Sequence, residues 1–116
     1  MAPPLTSSAF WILTVLASGR RHGYEILRET RTISEGRVAL KVATLYAALE
    51  RLESEGSILA DGDEIVAGRA RRYFVLTEQG ASRLATEARA MAQAAKAAQR
   101  HLGTRPAFLA TVAVAR

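Results

Sequence analysis

The stretch that decides the fold is Lys41-Val42-Ala43-Thr44-Leu45-Tyr46-Ala47-Ala48-Leu49-Glu50-Arg51-Leu52-Glu53-Ser54-Glu55-Gly56. Val42, Leu45, Leu49 and Leu52 recur at intervals of three and four, the repeat of an α-helix that buries one stripe. Gly56 stands where a left-handed residue closes a helix. At about 100° per residue, Ala43, Ala47 and Arg51 point away from the stripe, with Thr44 and Tyr46 on its flanks. Small side chains at Ala43 and Ala47 let a helix backbone approach a groove closely. Lys41 adds positive charge to a helix end already positive through its dipole, which costs stability unless an anion is present. The outer face of an ordinary packed helix would look much the same.

Downstream, the pattern changes. Ile58 and Leu59 precede a turn signal, Asp61-Gly62-Asp63, and Arg72-Tyr73-Phe74-Val75-Leu76 is rich in strand formers, with Gly68 in the connection. The spacing predicts two antiparallel strands joined by a basic loop within residues 62–71. Arg69, Arg71 and Arg72 in such a loop repel one another and gain little from packing, so a phosphate backbone or minor groove is a natural partner. A solvated loop tip is the plainer alternative. The acidic Glu50, Glu53 and Glu55 fit a reading helix if only its first two turns enter the groove.

Upstream, His22 to about Ser34 reads as a helix with Tyr24, Ile26, Leu27 and Ile33 on its apolar side and Gly36 ending it. Leu5 to Ser18 reads as another, with Leu5, Ala9, Ile12, Leu13 and Leu16 on one face and Thr6, Ser7 and Ser8 as candidate caps. Thr77 is placed to cap a last helix, to about Leu102. Helix, helix, helix, hairpin, helix is the order of a winged helix-turn-helix. The expected class is therefore mainly α with a small β-hairpin: residues 1–77 as a DNA-binding unit, 78–102 as a long C-terminal dimerisation helix, and 103–116 as an apolar tail. Along the last helix Leu84, Ala88, Met91, Ala95, Ala98 and Leu102 step by four and three. That heptad seam is longer than the domain needs to cover its own core, so a second copy of the chain is the economical partner. A helix folded back on its own domain is the alternative.

Composition agrees with a single domain and narrows its chemistry. The 116 residues carry Lys+Arg 16 against Asp+Glu 11, a net charge of +5, and 49% are hydrophobic. That apolar content excludes disorder throughout, and the basic balance favours anionic partners such as nucleic acid. No cysteine is present, which excludes disulfides, thiolate metal sites and a cysteine nucleophile. The apolar run Ala9 to Ala17 has no basic residue before it, unlike a signal peptide, and none is long enough to span a membrane. The expected address is the cytoplasm. His22 and His101 lie in no metal-ligand spacing, and neither a Gly-rich phosphate loop nor a nucleophile elbow is present. No enzymatic activity, metal or cofactor is expected.

Three segments carry a family resemblance: His22-Gly23-Tyr24-Glu25-Ile26; Thr44-Leu45-Tyr46 with Leu49-Glu50-Arg51-Leu52-Glu53 and Glu55-Gly56; and Gly68-Arg69-Ala70-Arg71-Arg72-Tyr73-Phe74-Val75-Leu76-Thr77-Glu78-Gln79-Gly80. In this order the chain resembles the PadR-like transcriptional regulators of bacteria over residues 9–80. Ala47 and Ala70 depart from it, standing where the family often has proline. The resemblance implies a repressor that binds a palindromic operator in double-stranded DNA as a homodimer. The third helix would lie in the major groove and the wing along the backbone or minor groove. It also implies that Thr44 and Tyr46 touch phosphate or sugar, that Tyr24 braces the second helix, and that Arg69, Arg71 and Arg72 serve the wing. For Tyr24 and Tyr73, core packing is favoured over contact. Family members often respond to small aromatic or cationic effectors near the dimer axis; Phe10, Trp11 and Met91 are the candidate contacts here, with core packing the alternative for Trp11. The rival function is a winged helix whose basic face binds an acidic protein.

Overall fold

Thr6 opens the first helix: its hydroxyl oxygen accepts from the Ala9 amide at 3.1 Å, and α1 runs Ser7–Ala17. Ala9, Ile12, Leu13, Val15 and Leu16 are buried, so the uncharged start of the chain is the centre of the core. The computed structural model describes residues 4–106. Two residues, Arg21–His22, form a short strand β1, and α2 follows at Gly23–Ile33. His22 ends the strand and caps the helix at once: its Nδ1 accepts from the Glu25 amide, while the Glu25 carboxylate accepts from the His22 amide at 3.1 Å. That reciprocal pair satisfies two donors otherwise left free at a helix start.

The apolar side of α2 is narrower than its sequence suggests. Ile26 is fully buried and Leu27 half-buried, but Tyr24 is 60% exposed and Ile33 43%. They lie in its first and last turns, beyond the edge of the core. The helix ends through two residues at positive φ, Glu35 (φ 54°) and then the expected Gly36 (φ 82°). The Gly36 amide bonds the Arg31 carbonyl and the Glu35 amide the Thr32 carbonyl, the paired closure of a Schellman motif.

The third helix, α3, runs Val42–Ser54 and buries Leu45, Leu49 and Leu52. Val42 departs from the expected stripe and is 59% exposed, because the first turn of α3 projects past the core. Gly56 closes the helix as expected, at φ 78°, with the Ser57 amide on the Leu52 carbonyl.

Strands β2 (Ile58–Val66) and β3 (Arg69–Leu76) pair antiparallel, and β1 adds to the free edge of β3, giving the order β1-β3-β2. The hairpin turn is the two residues Ala67 and Gly68, both at positive φ, the requirement of a type I′ turn. The basic loop expected here is therefore absent: Arg69, Arg71 and Arg72 lie on β3 itself. Nor is Asp61-Gly62-Asp63 the turn. Ala60 pairs with Phe74 and Asp63 with Arg72, so Asp61 and Gly62 face the single residue Tyr73 as a bulge. The left-handed glycine that suggested a turn serves the bulge instead.

Thr77 caps α4, Glu78–Gly103, accepting from the Gly80 amide at 3.0 Å. Gly80 packs on the Ser57 carbonyl, where a Cβ would clash. Leu84 packs on the core, but beyond it α4 is mostly exposed.

Candidate nucleic-acid interface

The N-terminal turns of α2 and α3 and the strand β3 meet at a cleft of about 430 Å³. Apolar side chains of Leu27, Val42 and Leu45 line it together with Tyr24 and Tyr46, Arg69, Ala70, Arg71 and Arg72, and His22 and Gly23. No carboxylate is among these lining residues. The α3 end of the cleft is also free of acidic neighbours: the first turn of α3 holds none, and Lys41, at its N-cap, makes no capping hydrogen bond. Backbone amides at that end are thus left for an outside acceptor, beside a cationic wing.

The geometry explains why glycine precedes Tyr24. A Cβ on Gly23 would lie 2.5 Å from the Tyr46 hydroxyl and 3.1 Å from its ring carbon Cζ. Tyr46 therefore lies across the start of α2, half exposed, and ties the two helices that frame the cleft.

The three wing arginines differ in how far the fold engages them. Arg69, next to the turn, makes no hydrogen bond or ion pair among the described residues and is exposed. Arg71 Nη1 lies 3.4 Å from His22 Nε2. Arg72 is 3.7 Å from Glu53 while remaining 58% exposed. Because they sit on a strand, Arg71 and Arg72 also face Glu64 and Asp63 in the cross-strand register. Opposite charges so placed steady the hairpin modestly, which corrects the expectation of three mutually repelling loop arginines with little to gain from packing. The Glu64 carboxylate lies 3.4 Å from the Tyr73 hydroxyl.

Of the residues expected at the interface, Tyr46, Arg69, Arg71 and Arg72 come together in the cleft. Lys41, Ala43, Thr44, Ala47 and Arg51 are exposed on α3 but do not line it. Val42 and Tyr24 line it although spacing assigned them to the core. Tyr24 is instead exposed beside the Arg28 guanidinium, 5.2 Å from its ring centre. Tyr73 is half-buried, with its ring edge against His22 and Arg20 stacked on it at 3.8 Å. Phe10 and Trp11 are half-buried on α1 with their rings edge to face at 5.4 Å, and Met91 is exposed on α4; none of the three lines this cleft.

The family model of the PadR-like transcriptional regulators matches residues 12–86, from Ile12 in the middle of α1 to Thr86 in α4. The chain belongs to the PadR-like family. A PadR family transcription regulator from Clostridium difficile shares 26% identity, with 84% of this chain and 99% of that one aligned at a TM-score of 0.69. Bacillus subtilis PadR, solved in complex with operator DNA, shares the fold at 24% identity and a TM-score of 0.60, over 67% of this chain and 45% of that one. An uncharacterized protein of Lysinibacillus sphaericus is 35% identical over 69 residues, 60% of this chain, and the match spans 63% of its length. PadR-like proteins are DNA-binding regulators and not enzymes. Among the described residues no helix is long and apolar enough to cross a membrane.

Proposed function

We propose that this PadR-like regulator is a repressor that binds a palindromic operator as a homodimer. The third helix α3 enters the major groove through Lys41, Ala43, Thr44, Tyr46, Ala47 and Arg51, and Arg69, Arg71 and Arg72 of the wing engage the phosphate backbone or minor groove. The observation that carries this reading is the carboxylate-free cleft, where the open N-terminal end of α3 and the three arginines meet. Such a site offers backbone amides and guanidinium groups together to phosphate oxygens.

Pairing through α4 completes the proposal. At 26 residues the helix is roughly 39 Å long, and Ala88, Met91, Ala95, Ala98 and Leu102 of its seam are exposed beyond Leu84. Two-fold pairing along that seam would set the reading helices about 34–36 Å apart, one turn of DNA. Residues 1–77 then form the DNA-binding unit and 78–102 the dimerisation helix; most of the apolar tail assigned to 103–116 lies outside the described residues. Release of DNA by a small aromatic or cationic effector at Phe10, Trp11 and Met91 belongs to the same reading.

A mobility-shift titration on the DNA upstream of the protein's own gene tests it, beside a shuffled duplex of equal length at two salt concentrations. A preference of about a hundredfold or more, persisting at physiological salt, is expected of specific binding. Equal, salt-sensitive binding to both duplexes would reduce the interface to a basic surface. Binding to neither would favour an acidic protein as the partner.

A further inference from the structure

We propose that Val42 reads a thymine in the operator through its 5-methyl group, making apolar contact the main source of base discrimination by the first turns of α3. The inference rests on the DNA-binding reading above and deepens it. Val42 is the first residue of α3, is 59% exposed, and lines the cleft with the wing arginines. A β-branched side chain there neither caps the helix nor packs in the core, and valine is a poorer helix former than alanine. A surface-exposed first turn gives no folding reason to keep it.

The exposed side chains of the first two turns are Val42, Ala43, Thr44, Tyr46 and Ala47. None is an arginine, lysine, asparagine or glutamine, the side chains that pair bidentately with guanine or adenine edges. Lys41, exposed at the N-cap just before them, carries a compact point charge better matched to a phosphate than to a bidentate base edge. The Tyr46 hydroxyl lies against Gly23 at the start of α2. Thr44 offers one hydroxyl, able to meet donors and acceptors alike, which discriminates weakly. Glu50 and Arg51 lie roughly 12 Å further along the axis than Val42, behind the N-terminal end that makes base contacts in helix-turn-helix docking. What remains at the base edges is methyl surface. In the major groove its match is the thymine 5-methyl, which distinguishes T·A from the other pairs.

The test uses the full chain and the tightest duplex selected from a randomised pool. Each thymine is replaced singly by uracil, which deletes only the methyl, and the Kd is measured for the wild type and for Val42→Ala. At one thymine of a half-site, uracil should weaken wild-type binding about fourfold, the equivalent of one buried methyl. Val42→Ala should bind the thymine and uracil duplexes equally at that position while responding like wild type elsewhere. Alanine favours the helix, so circular dichroism should show the variant folded. Wild-type indifference to every uracil would overturn the proposal, as would an unchanged uracil pattern in Val42→Ala. Failure of the underlying reading looks different: the pool yields no preferred sequence at all, and both inferences fall.

Discussion

Two groups of arginines, similar in sequence, have different fates in the fold. Arg20 is consumed internally. Its guanidinium donates to the Asp61 carbonyl at 2.9 and 3.1 Å, pairs with the Asp61 carboxylate at 3.0 Å and stacks on Tyr73. Arg21 pairs with Glu29 at 2.8 Å and donates to the Arg20 carbonyl. Among the described residues Arg69 has no such partner, and Arg71 has the His22 imidazole at 3.4 Å and Glu64 across the strand. Arg72 has one long, exposed pair with Glu53 and lies 5.7 Å from the Phe74 ring centre. The difference lies in what the neighbouring elements supply. The β2 bulge and α2 bring carboxylates within 3.0 Å of the first group, whereas the carboxylates near the second stand outside the cleft, Glu53 at 3.7 Å from Arg72 and Glu64 and Asp63 across the strand register. Positive charge in a sequence is a poor guide to charge available for a ligand until its internal partners are known.

The largest perturbation strikes the platform beneath the second group. Leu45 is 1% exposed under the cleft. Leu45→Ala should cost about 2–5 kcal/mol, seen in thermal unfolding as a fall in Tm of about 10 °C or more, with DNA binding lost in proportion to unfolding. Replacing Arg71 and Arg72 together by alanine tests the wing directly. Affinity should fall about equally on operator and shuffled duplexes, and the slope of log K against log salt should shrink by about 0.9 for each lost phosphate contact. The double variant should lose no more than about 1 kcal/mol of stability, the modest worth of two exposed cross-strand charge pairs. A lower Tm with an unchanged salt slope would mean that these arginines are structural, and the contrast between the groups would collapse. Arg20→Ala should behave in the opposite way, losing about 1 kcal/mol in denaturant unfolding, because its ion pair and stacking are both partly exposed, while keeping the salt slope. The smallest effect is expected at the turn. Ala67 holds a left-handed conformation (φ 53°) that asparagine tolerates better, so Ala67→Asn should raise stability by roughly 0.5 kcal/mol.

Local rules made much of this molecule legible in its sequence. The Leu45, Leu49 and Leu52 stripe, the Gly56 closure and the Thr6 and Thr77 caps depend on residues within a turn of one another, and all occur as expected. The two residues of β1 carry no period; they form a strand only because β3 offers an unpaired edge. Asp61-Gly62 announces a left-handed backbone but not whether it serves a turn or a bulge. Val42, Tyr24 and Ile33 have the right spacing for burial, yet spacing is silent on where the core ends along a helix axis. For the interface, residue types pointed to Tyr46 and the three arginines. Their convergence with Val42, Tyr24 and Gly23 required the crossing of α2, α3 and β3.

The wing hairpin is fixed at two points, by the Ala67-Gly68 turn and by the bulge held at Arg20. Side chains alternate along β3, so Arg69, Arg71 and Tyr73 share one face, and Arg72 and Phe74 the other. One residue inserted between Arg69 and Arg71 would turn Arg69 to the face of Phe74. A longer wing that keeps the arginines aligned must therefore grow in steps of two residues per strand, about 6.6 Å of reach at a time.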